Sequence, residues 1–337
     1  VDPVLPLSPP WAAPFLVAIE AGLREAAATD DPAITEAALH LIQAGGKRLR
    51  PLISLAAARS LAADHVVPDP HDPVIQGAVA VELVHLASLY HDDVMDEATE
   101  RRGVASVNAR FGNLIAVVTG DFLLARAAGI AARLGQNVAS VLADTLAAMC
   151  EGQVLEVSDA HHLDRDPQRY LAAIHGKTAS LMGTAAHIPA IILQASPSRQ
   201  AVLREAGTDI GLLFQLRDDL LDLVATREQL GKEPAQDLLE GIYTLPVISA
   251  LTNPSVRARL VEHLQAASDP AHRAEAVALV REAGGIEATL DHMRRLLARL
   301  EANLATSPGE SLAWLGSLGK GIVASAEAAC TFTGVGR

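Results

Sequence analysis

From Pro10 to about Ala329 the chain reads as one helical segment after another, each bracketed by its own start and stop signals. The stretch "DPAITEAALHLIQAGG" opens on Asp-Pro and closes on Gly-Gly, the end preferences of an α-helix. Before it, "PWAAPFLVAIEAGLREAAA" carries apolar residues at helical spacing. Further helices are predicted over approximately 47–64, 73–97, 114–134, 136–159, 167–175, 177–195 and 198–230. A loop near 231–243 then leads into shorter helices. Aromatic residues make up 3% of the chain while half of it is hydrophobic, so alanine and leucine must build the core. Strands draw on β-branched and aromatic residues instead. No strand pattern, fixed-period repeat or Pro/Gly/Ser linker interrupts the succession. The expectation is an all-α fold: a single domain over 1–337, a proline-rich lead-in at 1–10, and an interior too large for a simple four-helix bundle.

Charge and cysteine content narrow the function. With 27 basic against 40 acidic residues the net charge is −13, which argues against a nucleic-acid partner. Cys150 and Cys330 cannot form a disulfide framework; both read as small core residues on helices, and a reduced cytoplasm is the simpler setting. No segment offers roughly 18 uninterrupted apolar residues, so no membrane span is expected. The N-terminus lacks the basic region and apolar core of a secretory signal, so the protein is expected to be soluble and intracellular.

The chemistry concentrates in "LYHDDVMDEATERRG". Asp92 and Asp96 are four apart and Asp93 and Asp96 three apart, so all three can point to one side of a helix. The apolar register of "VAVELVHLASLY" puts them at the helix C-terminus, where the dipole already leaves negative charge. An acidic helix end is ordinarily a solvated one, but here crowding and wrong-end placement both cost stability. A hard divalent cation relieves both, and clustered carboxylates without thiols suit Mg²⁺.

The device recurs. "FQLRDDLLDL" carries Asp218, Asp219 and Asp222 with the same D-D-x-x-D spacing, again late in a long helix. Two such helix ends facing each other across a cavity place six carboxylates around a diphosphate, enough for two or three Mg²⁺. Basic residues accompany them: Lys47 and Arg50 in "AGGKRLRP", Arg101 and Arg102 after the first motif, Lys177 with Thr178 in "HGKTAS", and Lys232 after the second. Singly, each reads as a surface charge. Jointly they point to two phosphate sites, one filled through metal and one gripped directly by Lys and Arg.

These residues resemble the trans-type isoprenyl diphosphate synthases, or polyprenyl synthetases. The likeness runs in order from "GGKRLRP" through "HDDVMDEATERRG", "GDFLLARA", "GKT" and "FQLRDDLLD" to "YTLP". It implies an all-α fold around a deep central cavity and a homodimer. It implies that Asp92, Asp93, Asp96, Asp218, Asp219 and Asp222 bind Mg²⁺ bridged to an allylic diphosphate, which Arg101, Lys177 and Lys232 also contact. Lys47, Arg50, His85 and Arg102 then hold isopentenyl diphosphate, and Thr178 and Gln215 line the reacting carbons. Lys177, Thr178, Gln215, Asp92 and Asp218 form the implied catalytic set; no organic cofactor is needed. Two positions depart from the family: Ala235 stands where glycine is usual, and Arg217 where an apolar residue is common.

In this family the product threads beside the first-motif helix, and bulky residues five and eight positions before the first aspartate act as a floor. Here Ala87 and Val84 occupy those positions, with Ser88 beside Ala87 and Val81 a further turn down; Phe122 and Met149 are the nearest alternative plugs. Each turn rises about 5.4 Å, near one isoprene unit, so the expected product is roughly C30–C50. The alternatives are a short-chain synthase (C15–C20), a class I terpene cyclase, and a non-catalytic subunit of a heteromeric synthase. Lys47, Arg50 and the second D-D-x-x-D oppose the cyclase; six retained aspartates oppose the inert subunit.

Overall fold

A recurring Asp-Pro or Ser-Pro pair starts the principal helices. In the computed structural model, which describes residues 8–62, 66–226, 234–306 and 310–332, a short 3₁₀ turn at Pro10–Ala12 leads into α1 (Ala13–Ala27). Helix α2 (Pro32–Gln43) follows, its Asp31 carboxylate accepting from the amides of Ala33 and Ile34. Asp72 caps α4 (Pro73–Met95) in the same way, Asp166 caps α8 (Pro167–Ile174), and Ser196 caps α10 (Pro197–Val224). Proline at the first helical turn loses no hydrogen bond there, and each side-chain cap contributes about 1 kcal/mol. Helices α3 (Leu49–Ala62), α5 (Val107–Phe111), α6 (Asn113–Leu134), α7 (Gln136–Ser158) and α9 (Ser180–Ile192) complete the main bundle. Beyond α10 come Gln236–Leu239, Leu245–Leu251, Arg257–Gln265, Pro270–Glu282, Gly285–Ala305 and Glu310–Phe332.

Helix α4 packs against α1, α3, α6 and α9, and α10 against α9 and the two long C-terminal helices. One continuous apolar cluster, from Ala12 to Cys330, joins them. Both aspartate-bearing helices are therefore held along their length by core contacts, and their C-terminal ends are left to present charge.

Four details differ from the sequence-based expectation. A two-residue hairpin pairs Glu100–Arg101 with Val104–Ala105, where no strand was expected. Arg102 and Gly103 both take positive φ (56° and 75°) at its turn, the backbone twist that a tight hairpin requires. The glycine in "HGKT" does not precede a new helix: α8 runs through a π-turn at His175–Ala179 directly into α9. Helix α3 begins at Leu49, so Lys47 precedes it rather than lying in its first turn. Cys330 is buried as expected, but Cys150 is exposed on α7.

Among the described residues three helices, α4, α6 and α7, are long and apolar enough on average to cross a membrane, although none is an uninterrupted apolar run. In α4 most of that surface is buried inside the bundle, whereas α6 and α7 leave much of theirs open. Leu114, Val117 and Val118 on α6 and Val154 and Val157 on α7 are exposed.

Candidate active site

The first motif closes α4. Asp96 is its C-cap, with its amide donating to the Asp92 carbonyl at 2.8 Å. Asp93 is fully buried and accepts from Arg101 Nε at 2.7 Å. Asn108 secures the turn, donating to the carbonyls of Asp93 and Ala98 at 3.0 Å each. The Asp92 and Asp93 carboxyls both sit above the usual range, chiefly from burial; Lys177 draws Asp92 back down and Arg101 does the same for Asp93.

The second motif closes α10. Asp219 is buried: its Oδ1 accepts from Gln215 Nε2 at 2.9 Å and its Oδ2 from the Tyr170 hydroxyl. Gln215 in turn accepts from Thr178 Oγ1 at 2.8 Å, so a chain runs from the π-turn to the motif. Burial pushes the Asp219 carboxyl up to about 7 despite both donors. Asp218 is the open member and pairs with Arg217 at 3.0 Å. Asp222 is buried and anchors the following segment: its carbonyl accepts from Ala235 N at 2.7 Å and its Oδ2 from Asp237 N at 3.1 Å. Ala235 takes a left-handed conformation there (φ 55°), which accounts for glycine being the usual residue. Arg217, the other departure, is buried and reaches Ser325 of the last helix at 2.9 Å.

A cationic cluster lies beside the first motif. Gly45 turns the chain at φ 82°, and a Cβ on Gly46 would crowd the Arg102 guanidinium at 3.0–3.2 Å. The Gly-Gly pair therefore does more than end α2: it lets Arg102 donate to the carbonyls of Leu41 (3.2 Å) and Gly45. Arg50, His85 and Arg102 are close enough to perturb one another. Burial lowers Arg50 to about 10, and burial with Arg50 and Arg102 nearby drives His85 well below its ordinary range, leaving a neutral imidazole among guanidinium groups. Among the described residues the buried Arg50 Nε has no hydrogen-bond partner, a donor available to an anion. Lys47 is exposed. Arg48, between them in sequence, is instead buried and locked to Glu20 (2.6 Å) and Glu82 (3.0 Å). Lys232 lies outside the described residues.

Lys177 lies beside the first motif, and its neighbour Thr178 links to the second through Gln215. Its ammonium donates to Glu156 of α7, and although burial lowers its pKa, Glu156, Asp92 and Asp96 together hold it above the ordinary value. Glu156 also lies near enough to Asp92 and Asp219 to raise both. The two acidic helix ends therefore flank one cleft, with Glu156 between them and Lys177 beside the first. Glu156 and Tyr170 escaped the sequence reading; one sits in an unremarkable "EGQVLE" and the other seven residues before Lys177, and only packing brings them in.

The acidic side chains of the two motifs and Glu156 offer carboxylate oxygens, and among the described residues one of these, Asp93 Oδ2, is buried without a hydrogen-bond partner. Among the described residues no three His, Cys, Asp or Glu side chains converge on a single point. That donor set fits Mg²⁺, a hard cation that takes one or two carboxylates and fills its remaining positions with phosphate oxygens and water.

At the wall positions, Val84 and Ala87 have no solvent-accessible surface and Ser88 is half-buried, its hydroxyl donating to the His85 carbonyl at 2.9 Å. Two turns further down α4, Gly77 abuts Ile188 and Ile192 of α9, with Leu134 of α6 beside them.

Comparison with known proteins agrees with this layout. Residues 31–282 match the polyprenyl synthetase family. The chain is 37% identical over 281 residues to a nonaprenyl diphosphate synthase of Mycobacterium tuberculosis, covering 82% of each protein. It is 36% identical over 293 residues to a short chain isoprenyl diphosphate synthase of Methanothermobacter thermautotrophicus, covering 84% of this chain and 88% of that one. The crystal structure of a polyprenyl synthase from Caulobacter crescentus CB15, complexed with calcium and isoprenyl diphosphate, superposes with a TM-score of 0.83 at 32% identity, covering 94% of this chain and 95% of the other. Two acidic helix ends about one cleft, a guanidinium cluster beside them and a match over three-quarters of the sequence lead to one assignment: the chain belongs to the polyprenyl synthetase family and is a prenyltransferase of the trans-polyprenyl diphosphate synthase type.

Proposed function

We propose that this enzyme condenses an allylic diphosphate with isopentenyl diphosphate, head to tail, and repeats the step to an all-trans product of roughly C30–C50. The reading is supported by the convergence of both aspartate motifs on Glu156, with Lys177 beside the first motif and the Arg50–His85–Arg102 cluster next to it. Asp92, Asp93, Asp96, Asp218, Asp219 and Asp222 are the residues that would hold two or three Mg²⁺ ions; of these, Asp93 is tied to Arg101 and Asp219 to Tyr170 and Gln215. When bound, Mg²⁺ supplies positive charge to the diphosphate as the allylic C–O bond breaks.

The chain's own groups do the rest. Arg101 and Lys177, with Lys232, stabilise negative charge on the departing diphosphate. Arg50, Arg102 and Lys47 hold the second diphosphate through charge-assisted hydrogen bonds, and neutral His85 adds one without further charge. Thr178 and Gln215, already hydrogen-bonded to each other, line the space where the carbocation meets the alkene. That alignment converts a two-molecule encounter into a local one. The new C–C bond forms, and the proton lost in the elimination goes to the released diphosphate.

Chain length follows from α4. From Asp92 down to Pro73 the helix extends about 29 Å, five turns, which accommodates about five isoprene units below the reacting one. Products beyond C30 must turn or leave the bundle. Val84 and Ala87 offer no bulky stop, but both are fully buried, and two turns further down a growing tail has to displace Ile188 and Ile192 beside Gly77. We also assign the exposed apolar faces of α6 and α7 to a homodimer interface, since a patch of this kind needs cover. Cys150 and Cys330 are both free thiols, in keeping with a cytoplasmic enzyme. Turnover by the lone chain, lost on chelation and restored by Mg²⁺, tests the assignment; a pure protein that binds isopentenyl diphosphate but never turns over would make it the inert subunit of a heteromer.

A further inference from the structure

Glu156 is a further carboxylate beside Asp92 and Asp219, where negative charge is already crowded, and its presence needs a reason. Its position is set by two glycines. A Cβ on Gly152 would overlap the backbone of Ala173 and of Gly176–Lys177, and one on Gly176 would overlap the Ala148 carbonyl and Gly152. Helix α7 and the π-turn therefore touch backbone to backbone. Glu156 lies four residues beyond Gly152, on the same face of α7. Lys177 directly follows Gly176. The double-glycine contact thus fixes the pair in register, and the Lys177 ammonium donates to Glu156. Two other carboxylates, Asp92 and Asp96, also attract that ammonium.

We propose that Glu156 is a positioning residue that holds Lys177 beside the first aspartate motif, keeping it off Asp92 and Asp96 and poised for the allylic diphosphate. This rests on the reading of the cleft given above. Without Glu156, the nearest anions to Lys177 in the substrate-free enzyme are the first-motif aspartates. An ammonium seated there occupies carboxylate oxygens meant for metal, and it is no longer aimed at the diphosphate. The opposing effect is simple repulsion: Glu156 is an anion near an anionic substrate, and its loss alone would tighten binding.

The test is a double-mutant cycle on the full-length protein. Binding of a non-reactive allylic diphosphate analogue, with Mg²⁺, is measured by calorimetry for wild type, Glu156→Gln, Lys177→Met and the double variant, beside KM for both substrates and the melting temperature. Glu156→Gln is expected to weaken analogue binding at least about tenfold, within the range of coupled charged neighbours, while KM for isopentenyl diphosphate stays within about twofold. Glu156→Asp is expected to recover part of the loss. In the Lys177→Met background, Glu156→Gln should cost nothing further. Unchanged or tighter binding in Glu156→Gln overturns the inference, because repulsion is then the larger effect. Additive losses overturn it too, since Glu156 would then act without Lys177. If Lys177→Met itself leaves analogue binding untouched, the assignment of the cleft fails and this inference with it.

Discussion

Removing one hydroxyl, Tyr170→Phe, isolates what supports the second aspartate motif. Tyr170 is almost fully buried, its ring lies under the Arg165 guanidinium, and its hydroxyl donates to Asp219 Oδ2. Burial and the adjacent Asp219 hold the phenol well above its ordinary pKa, so it remains a donor at every working pH. Asp219 changes state instead, with its carboxyl raised to about 7 mainly by burial. Above that pH the substitution leaves a buried carboxylate short of one of two donors. A hydrogen bond to a charged group is worth about 2 kcal/mol, against about 1 kcal/mol or less for a neutral pair. In a chain of this size 2 kcal/mol corresponds to a melting shift of ~3 °C. Metal-free Tyr170→Phe should therefore melt about 3 °C below wild type near pH 8.5 and about 1 °C below it near pH 5.5. Differential scanning fluorimetry across pH measures this. A shift of equal size at both pH values would refute the reasoning, because it would mean the phenol only fills space.

Other consequences are simpler. Asp219 is raised in the folded state above its unfolded value near 3.9, so its contribution to metal-free stability is full below about pH 4 and lost as pH rises through about 7. Asp219→Asn should flatten the fall in urea midpoint over that window; an unchanged slope would assign it to other carboxyls. Ala235→Gly removes a left-handed alanine and should leave thermal stability equal or raise it by up to about 1 kcal/mol, while Ala235→Val should lower it by more. Val118→Glu on the exposed face of α6 should shift sedimentation to a monomer, and a retained dimer would place the interface elsewhere. Ala87→Phe should shorten the product by at least one isoprene unit, read by chromatography of the dephosphorylated chains.

The two aspartate motifs were legible because their information is local: type, spacing and the wrong end of a helix are all visible in ten residues. The same is true of the Asp-Pro and Ser-Pro starts, which set helix boundaries through backbone chemistry alone. Glu156 and Tyr170 were not legible, because what makes them matter is a glycine-to-glycine helix contact and a buried carboxylate on another element. Arg48 shows the limit from the other side. It sits between Lys47 and Arg50 in "GGKRLRP" with equal charge, yet its left-handed backbone (φ 47°) turns it inward to Glu20 and Glu82. Cys150 misled for a different reason: α7 has the composition of a core helix, but among the described residues most of its surface, Cys150 included, is left open.

The measurement that bears most directly on the whole account is the product distribution of the pure enzyme given Mg²⁺, farnesyl diphosphate and excess labelled isopentenyl diphosphate. A cleft with both motifs intact, above a helix about 29 Å deep without a bulky stop at Ala87 or Val84, predicts all-trans products of C30 or longer, with few intermediates released. Termination at C20 would contradict the chain-length argument, and absence of any incorporation would contradict the assignment of the cleft itself.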